Sequence, residues 1–284
     1  MTLRALQTTI SAERPLILFD LDGTIADPGQ GIAAGMLHAL RELGRPEPDA
    51  AVLCSFVGPP LLQNLLSLPG MTPELAARGA EYYRAYFSEH GPAATSLYPG
   101  VLDLARELRS RGAIVAVATS KLRQFAVQIL QMHGGLDIFD LVEGDVVDGA
   151  PRTKADVIAA VLGQYSLSDA RDAVMIGDRR HDVSGAAEHG LDCVGVGWGF
   201  AAAGELESAG AVAIAGDADE LAAILAARFP QLHDETRLHD EASRHDEASL
   251  HDAASLHGEA SLHDETSLHD ETSLQDKTGS SASG

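Results

Sequence analysis

The chain has 284 residues, 45% of them hydrophobic, a formal net charge of −22 and two cysteines. That length accommodates one large domain or a core domain with a smaller companion. The negative charge opposes nucleic acid and anionic membranes. Two distant cysteines, Cys54 and Cys193, argue against a disulfide framework and for a reducing, cytoplasmic setting.

The opening MTLRALQTTISAERP lacks the sustained apolar core and small-residue cleavage site of a secretory signal. No run approaches the roughly 18 apolar residues of a membrane span. The first apolar run, Leu16-Ile17-Leu18-Phe19, is short and predicts a strand buried on both faces. From about 28 to 97 no strand is expected. Helical spacing over 32–43, 60–68 and 73–90 predicts an all-helical insertion, with Tyr82, Tyr83, Tyr86 and Phe87 as the core stripe of its last helix. The alternation then resumes. Strands are expected at Ile114-Val115-Ala116-Val117, Ala173-Val174-Met175-Ile176, Cys193-Val194-Gly195-Val196 and Ala211-Val212-Ala213-Ile214. Helices are expected over 101–111, 122–132, 153–165, 182–189 and 217–228. The class is therefore α/β, a doubly wound parallel-sheet, Rossmann-like core (14–27 and 98–229) interrupted by a helical insertion (28–97).

Composition breaks near Pro230. Residues 232–279 repeat a hexapeptide of the type LHDETS and carry 13 acidic and 3 basic residues. One leucine in six cannot offset chain entropy, so 231–284 is expected to be a disordered tail. Its seven histidines, six of them beside aspartates, would bind transition metals weakly, or the repeat has no chemistry.

Four short segments carry chemistry, and sheets of this type bind ligands at the carboxyl ends of their strands. Asp20 and Asp22 in Asp20-Leu21-Asp22-Gly23-Thr24 put two carboxylates at a strand end before a turn-permitting glycine. Such a pair serves phosphoryl transfer, one carboxylate attacking and the other handling a proton, and favours a hard cation such as Mg2+. Alone, it reads equally as a turn or a helix cap. Thr119 and Ser120 end the next strand and could hold phosphate oxygens or cap a helix. Lys154 opens a helix, as a surface residue or as a charge beside the aspartates. Asp178 and Asp182, in Gly177-Asp178-Arg179-Arg180-His181-Asp182, bring two more carboxylates across a strand-to-helix turn.

Taken in order, DLDGT at Asp20, the strand-end Thr119, Lys154 and GDRRHD at Gly177 resemble the haloacid dehalogenase superfamily, in its phosphoglycolate phosphatase-like branch with a helical cap. The resemblance spans about 15–228. It implies Asp20 as nucleophile and Mg2+ ligand. Asp22 would be the general acid and then base, giving its backbone carbonyl to the metal. Thr119, Ser120 and Lys154 would hold the phosphoryl oxygens, Asp178 would ligate the metal, and Asp182 and Thr24 would stand behind these groups. Gly58, in a cap turn, and Arg179 are candidate substrate contacts. An acidic Asp22 is expected of enzymes that release an alcohol, not of the dehalogenases. The expected activity is hydrolysis of a small phosphomonoester, phosphoglycolate-like or a nucleoside monophosphate, by a monomer or homodimer. A sugar-phosphate mutase, or a silent scaffold acting through the tail, are the alternatives.

Overall fold

The structure is a computed structural model that describes residues 14–147, 152–165, 167 and 169–233. From Asp234 onward the repeat read as a disordered tail lies outside the described residues, as does most of the opening segment.

The chain order is β1 (Leu16–Phe19), β2 (Ala26–Asp27), α1 (Gly29–Glu42), α2 (Ala50–Cys54), α3 (Leu61–Leu66), α4 (Pro73–His90) and β3 (Ser96–Leu97). There follow α5 (Val101–Ser110), β4 (Ile114–Leu122), α6 (Arg123–Met132), β5 (Leu141–Asp145), α7 (Lys154–Leu162), β6 (Ala173–Gly177) and α8 (Arg180–Ala187). The series closes with β7 (Asp192–Val196), α9 (Glu205–Ala209), β8 (Ala213–Ala215) and α10 (Ala218–Arg228).

Six strands form one parallel sheet in the order β5-β4-β1-β6-β7-β8. The Leu-Ile-Leu-Phe run of β1 is fully buried because it lies between β4 and β6 and is covered on both faces. Ile17 and Phe19 enter one hydrophobic cluster, while Leu16 and Leu18 enter the other. This is the two-residue alternation of a strand. From β1 the chain moves outward through β4 and β5, then returns to the other side of β1 as β6. The carboxyl end of β1 therefore sits at the topological switch point, where such sheets bind ligands.

The sequence did not reveal β5. Its Leu-Val-Glu-Gly-Asp stretch buries only Val142 and Gly144, because an edge strand needs no continuous apolar run. β8 starts at Ala213, two residues later than expected, with Val212 left exposed.

Helices α1 to α4 form the insertion. Ile32, Met36, Ala39 and Leu40 of α1 pack on α4, where Tyr83 and Phe87 are buried. Tyr82 and Tyr86 are only half-buried, so two of the four expected stripe positions are core. Tyr86 instead stacks on His38 with ring centroids 4.9 Å apart. The stretch expected to be free of strands contains β3, which pairs antiparallel with β2 through Ala26↔Leu97 and Asp27↔Ser96. This two-residue ribbon joins the chain's exit from the core to its return, and is too short to leave a periodicity in the sequence.

The ordered chain also runs beyond the composition break. Pro230–His233 forms a 3-10 turn, and Leu232, the first leucine of the repeat, is buried in the core cluster. Leu232→Ala is expected to cost about 2–4 kcal/mol through lost burial and the cavity left behind. Urea unfolding of the full chain measures it, and an unchanged midpoint would contradict this packing.

Candidate active site

The first strand delivers Asp20 to the switch point, where its amide donates to Ile176 O at 2.8 Å. The chain then turns sharply at Gly23, whose φ of +87° suits glycine. A side chain there would also collide with the Asp178 carboxylate. β6 brings Asp178 alongside, and α8 brings Asp182. Carboxylate oxygens of Asp20, Asp178 and Asp182 all lie within 4.8 Å of one another, and all three residues are buried.

Like charges at such spacing repel, and burial removes the water that would screen them. Burial is the foremost cause raising the Asp178 pKa, reinforced by Asp182 and Asp20. Burial likewise raises that of Asp182, against the pull of Lys154. Lys154 supplies the counter-charge. It is the first residue of α7, a helix start fixed by a capping box between Thr153 and Asp156. Its Nζ lies 2.8 Å from Asp20 Oδ1, 2.8 Å from Asp182 Oδ1 and 3.0 Å from Ala118 O, which it reaches with a hydrogen bond. Burial works to deprotonate it, but the charges of Asp182 and Asp20 outweigh burial and raise its pKa.

These ion pairs account for two of the buried oxygens. Oδ1 of Asp178 and Oδ1 of Asp22 remain buried without a hydrogen-bond partner among the described residues. Orphaned carboxylate oxygens beside a repelling cluster are what a hard divalent cation would relieve, so the donor set fits one. Asp20, Asp178 and Asp182 are the residues whose oxygens converge closely enough to hold it. The other oxygen of Asp178, Oδ2, accepts from Phe200 N at 2.7 Å, and Asp182 Oδ2 accepts from Arg179 N at 3.0 Å. Asp182 thus caps α8 while also facing the cluster.

Thr119 is buried inside β4, where its register shifts between Ala118 and Leu122, and its Oγ1 accepts from the amide of Lys121 at 3.2 Å. Ser120 lines a cleft of about 280 Å³ between this stretch of β4 and the insertion. Thr24 is fully buried, and its carbonyl accepts from Trp198 Nε1 at 3.1 Å. Gly58, at φ +103°, also borders the cleft. Arg179, expected to meet substrate, is engaged otherwise. Its Nη1 donates to Val57 O at 2.7 Å and its Nε to Glu205 at 2.9 Å. It fastens the cap turn to the core and does not line the cleft. Burial works to raise the Glu205 pKa, but the Arg180 amide and Arg179 outweigh it and lower the value to about 2.

Sequence reading passed over Lys121. Its Nζ is 2.5 Å from Asp22 Oδ2 and 4.7 Å from the centre of the Phe87 ring on α4. Only its place two residues after Thr119 hinted at this. The register shift in β4 between Ala118 and Leu122 accompanies the inward turn of this segment. Burial raises the Asp22 pKa, Lys121 opposes this and Asp20 adds to it, with a net rise. Asp22 therefore keeps a proton to higher pH than an ordinary carboxyl group.

Residues 17–196 match the family model described as haloacid dehalogenase-like hydrolase. The chain is 42% identical over 185 residues to a Mycobacterium tuberculosis protein named tyrosine-protein kinase PtkA, covering 65% of this chain and 62% of that protein. It is 39% identical to a Pseudomonas aeruginosa 5'-nucleotidase (68% and 87% covered) and 31% identical to a Vibrio cholerae phosphoglycolate phosphatase (65% and 85%). Among solved structures, a predicted phosphatase from Clostridium acetobutylicum superposes with a TM-score of 0.69 at 36% identity, over 75% of this chain and 98% of that one.

Replacing Lys154 by Met would strand Asp20 and Asp182 as unpaired buried charges. The expected loss of unfolding free energy at neutral pH is about 3–5 kcal/mol. Urea denaturation of both proteins, with EDTA present, reads it directly. A loss under 1 kcal/mol would show that the carboxylates do not depend on this ammonium.

Proposed function

The chain belongs to the haloacid dehalogenase-like hydrolases, and from that premise we propose that it is a Mg2+-dependent phosphatase of small phosphomonoesters working through an aspartyl-phosphate. The observation that carries this reading is the Asp20 carboxylate, buried at the switch point between Lys154, Asp178 and Asp182, with the pKa-raised Asp22 two residues away. The site chemistry follows from those positions. A carboxylate oxygen of Asp20 attacks phosphorus, the P–O bond to the alcohol breaks, and Asp22 gives its proton to the departing oxygen. Water then attacks phosphorus with Asp22 taking its proton, the bond to Asp20 breaks, and phosphate leaves. Lys154 neutralises charge on the phosphoryl oxygens, and the Thr119 strand end holds them. Bound Mg2+ would supply further charge neutralisation of the same oxygens and of the carboxylates.

Phosphate release from a panel of phosphoglycolate, nucleoside monophosphates, sugar phosphates and an aryl phosphate, with Mg2+ or with EDTA, tests the proposal. Mg2+-dependent turnover is expected. Asp20→Asn should lower kcat by at least about a thousandfold without unfolding the protein. Substantial residual turnover by that variant would remove Asp20 from the role of nucleophile. A panel untouched by well-folded protein would turn attention to the mutase or scaffold readings.

The identity to proteins named tyrosine kinase favours a second reading, in which the acceptor is a tyrosine hydroxyl. Label moving from γ-labelled ATP to a tyrosine peptide would support it, and its absence beside ester hydrolysis would not. The chain covers only 62% of that relative's length.

A metal test independent of turnover uses the raised pKa values of Asp178 and Asp182. The native state retains protons that the unfolded chain, with carboxyl pKa values near about 4, has lost. Stability of the metal-free protein at this cluster therefore falls as pH rises above about 4. Mg2+ competes with those protons, so its gain in melting temperature should be small near about pH 5 and larger near about pH 8. A melting temperature indifferent to Mg2+ at both pH values would refute the assignment.

A further inference from the structure

The cleft above Asp22 holds a charge that hydrolysis of the phosphoester does not use. Arg84 stands on α4 and lines the cleft, and its Nε is buried without a hydrogen-bond partner among the described residues. Of the other charges that line it, all but Glu81 are engaged. Lys121 is paired with Asp22, and Asp145 accepts from the amides of Val146 and Arg152. Glu81, one turn earlier on α4, is exposed, and among the described residues it makes no ion pair with Arg84. A buried guanidinium N–H without an acceptor is disfavoured, and its planar fork matches the paired oxygens of a carboxylate or phosphate.

The remaining wall is largely apolar. Met36, Phe56, Leu61 and Leu62 face the cleft from the insertion, and Phe125 faces it from the core. Its volume of about 280 Å³ is near the low end of small-molecule sites. Asp20, Thr119 and Lys154 do not border the cleft, and of the groups assigned to the phosphoryl end only Asp22 and Ser120 do. What else borders it must meet the rest of the molecule.

We propose that Arg84 is a specificity-determining residue, and that the substrate is a phosphomonoester whose alcohol combines an apolar body with a second oxyanion held by this guanidinium. The inference rests on the phosphatase reading above and adds to it the class of alcohol. The apolar body lies between the cap side chains and the core. The second oxyanion is a carboxylate or a second phosphate-type group, which share the recognising chemistry.

The test compares p-tolyl phosphate with its 4-(carboxymethyl)phenyl and 4-(phosphonomethyl)phenyl counterparts on the full chain with Mg2+. At least one anionic ester should exceed p-tolyl phosphate in kcat/KM by about tenfold or more. The better of the two identifies the oxyanion. In Arg84→Gln that ratio should fall to near one, mainly through KM, and Arg84→Lys should restore part of it. A ratio near one in the natural protein, or equal loss for anionic and neutral esters in a folded Arg84→Gln, would overturn the proposal. If no ester is hydrolysed, the phosphatase reading fails separately. Calorimetric binding of the same esters to Asp20→Asn and to Asp20→Asn/Arg84→Gln still decides the role of Arg84. Tighter binding of an anionic ester that vanishes with Arg84 sustains it, and equal binding refutes it.

Discussion

One ammonium group holds the centre of this molecule together. Lys154 Nζ lies 2.8 Å from both Asp20 and Asp182, in a place where three carboxylates converge within 4.8 Å and water is excluded. Each of those side chains comes from a different part of the sheet: Asp20 from the end of β1, Lys154 from the start of α7, and Asp182 from the first turn of α8. Close approach of α7 to α8 is permitted by Gly185, since a Cβ there would sit 2.9 Å from Lys154 Cγ. Buried ion pairs of this kind contribute little net stability, because desolvation offsets their attraction. What they do is fix oxygen atoms and charges in place, the preorganisation that the proposed phosphoryl transfer would require.

Cap and core are joined by contacts of the same economy. Lys121 links Asp22 to Phe87 of α4, and Arg179 reaches Val57 in the turn before Gly58. Trp198 secures the chain just after Asp20 and Asp22 through Thr24 O. In the proposed reading the core supplies the groups that act on phosphorus, while the insertion supplies most of the apolar wall of the cleft and Arg84. That proposal puts chemistry and specificity in separate layers, so membership of the family constrains the reaction class more tightly than the alcohol. Among the described residues no helix is long and apolar enough to cross a membrane.

The strand series and the helical insertion were legible because burial of β1, β4, β6 and β7 on both faces leaves unbroken apolar runs in the sequence. The edge strand β5 and the two-residue ribbon of β2 and β3 were not, since neither has the length or the two-sided burial that creates such a signal. Asp20, Asp22, Thr119, Lys154 and Asp178 were legible as strand-end or helix-start residues in a fixed order. The structure brings Asp20, Lys154, Asp178 and Asp182 together and leaves Arg179 outside the cleft, bound to Glu205.

The sequence by itself determined the α/β class, the place of the insertion and the identity of the residues at the strand ends, because periodicity and turn chemistry are local and each is written within a few neighbours. Tertiary structure alone decided which charges meet. The pairing of Lys121 with Asp22 spans 99 residues, and that of Arg179 with Val57 spans 122. The first lies beside a register shift in β4 and the second ties a cap turn to the core, and whether a charge is paired or, like Arg84 among the described residues, left facing a cleft is a property of the packed surfaces around it. No spacing in the chain encodes that distance.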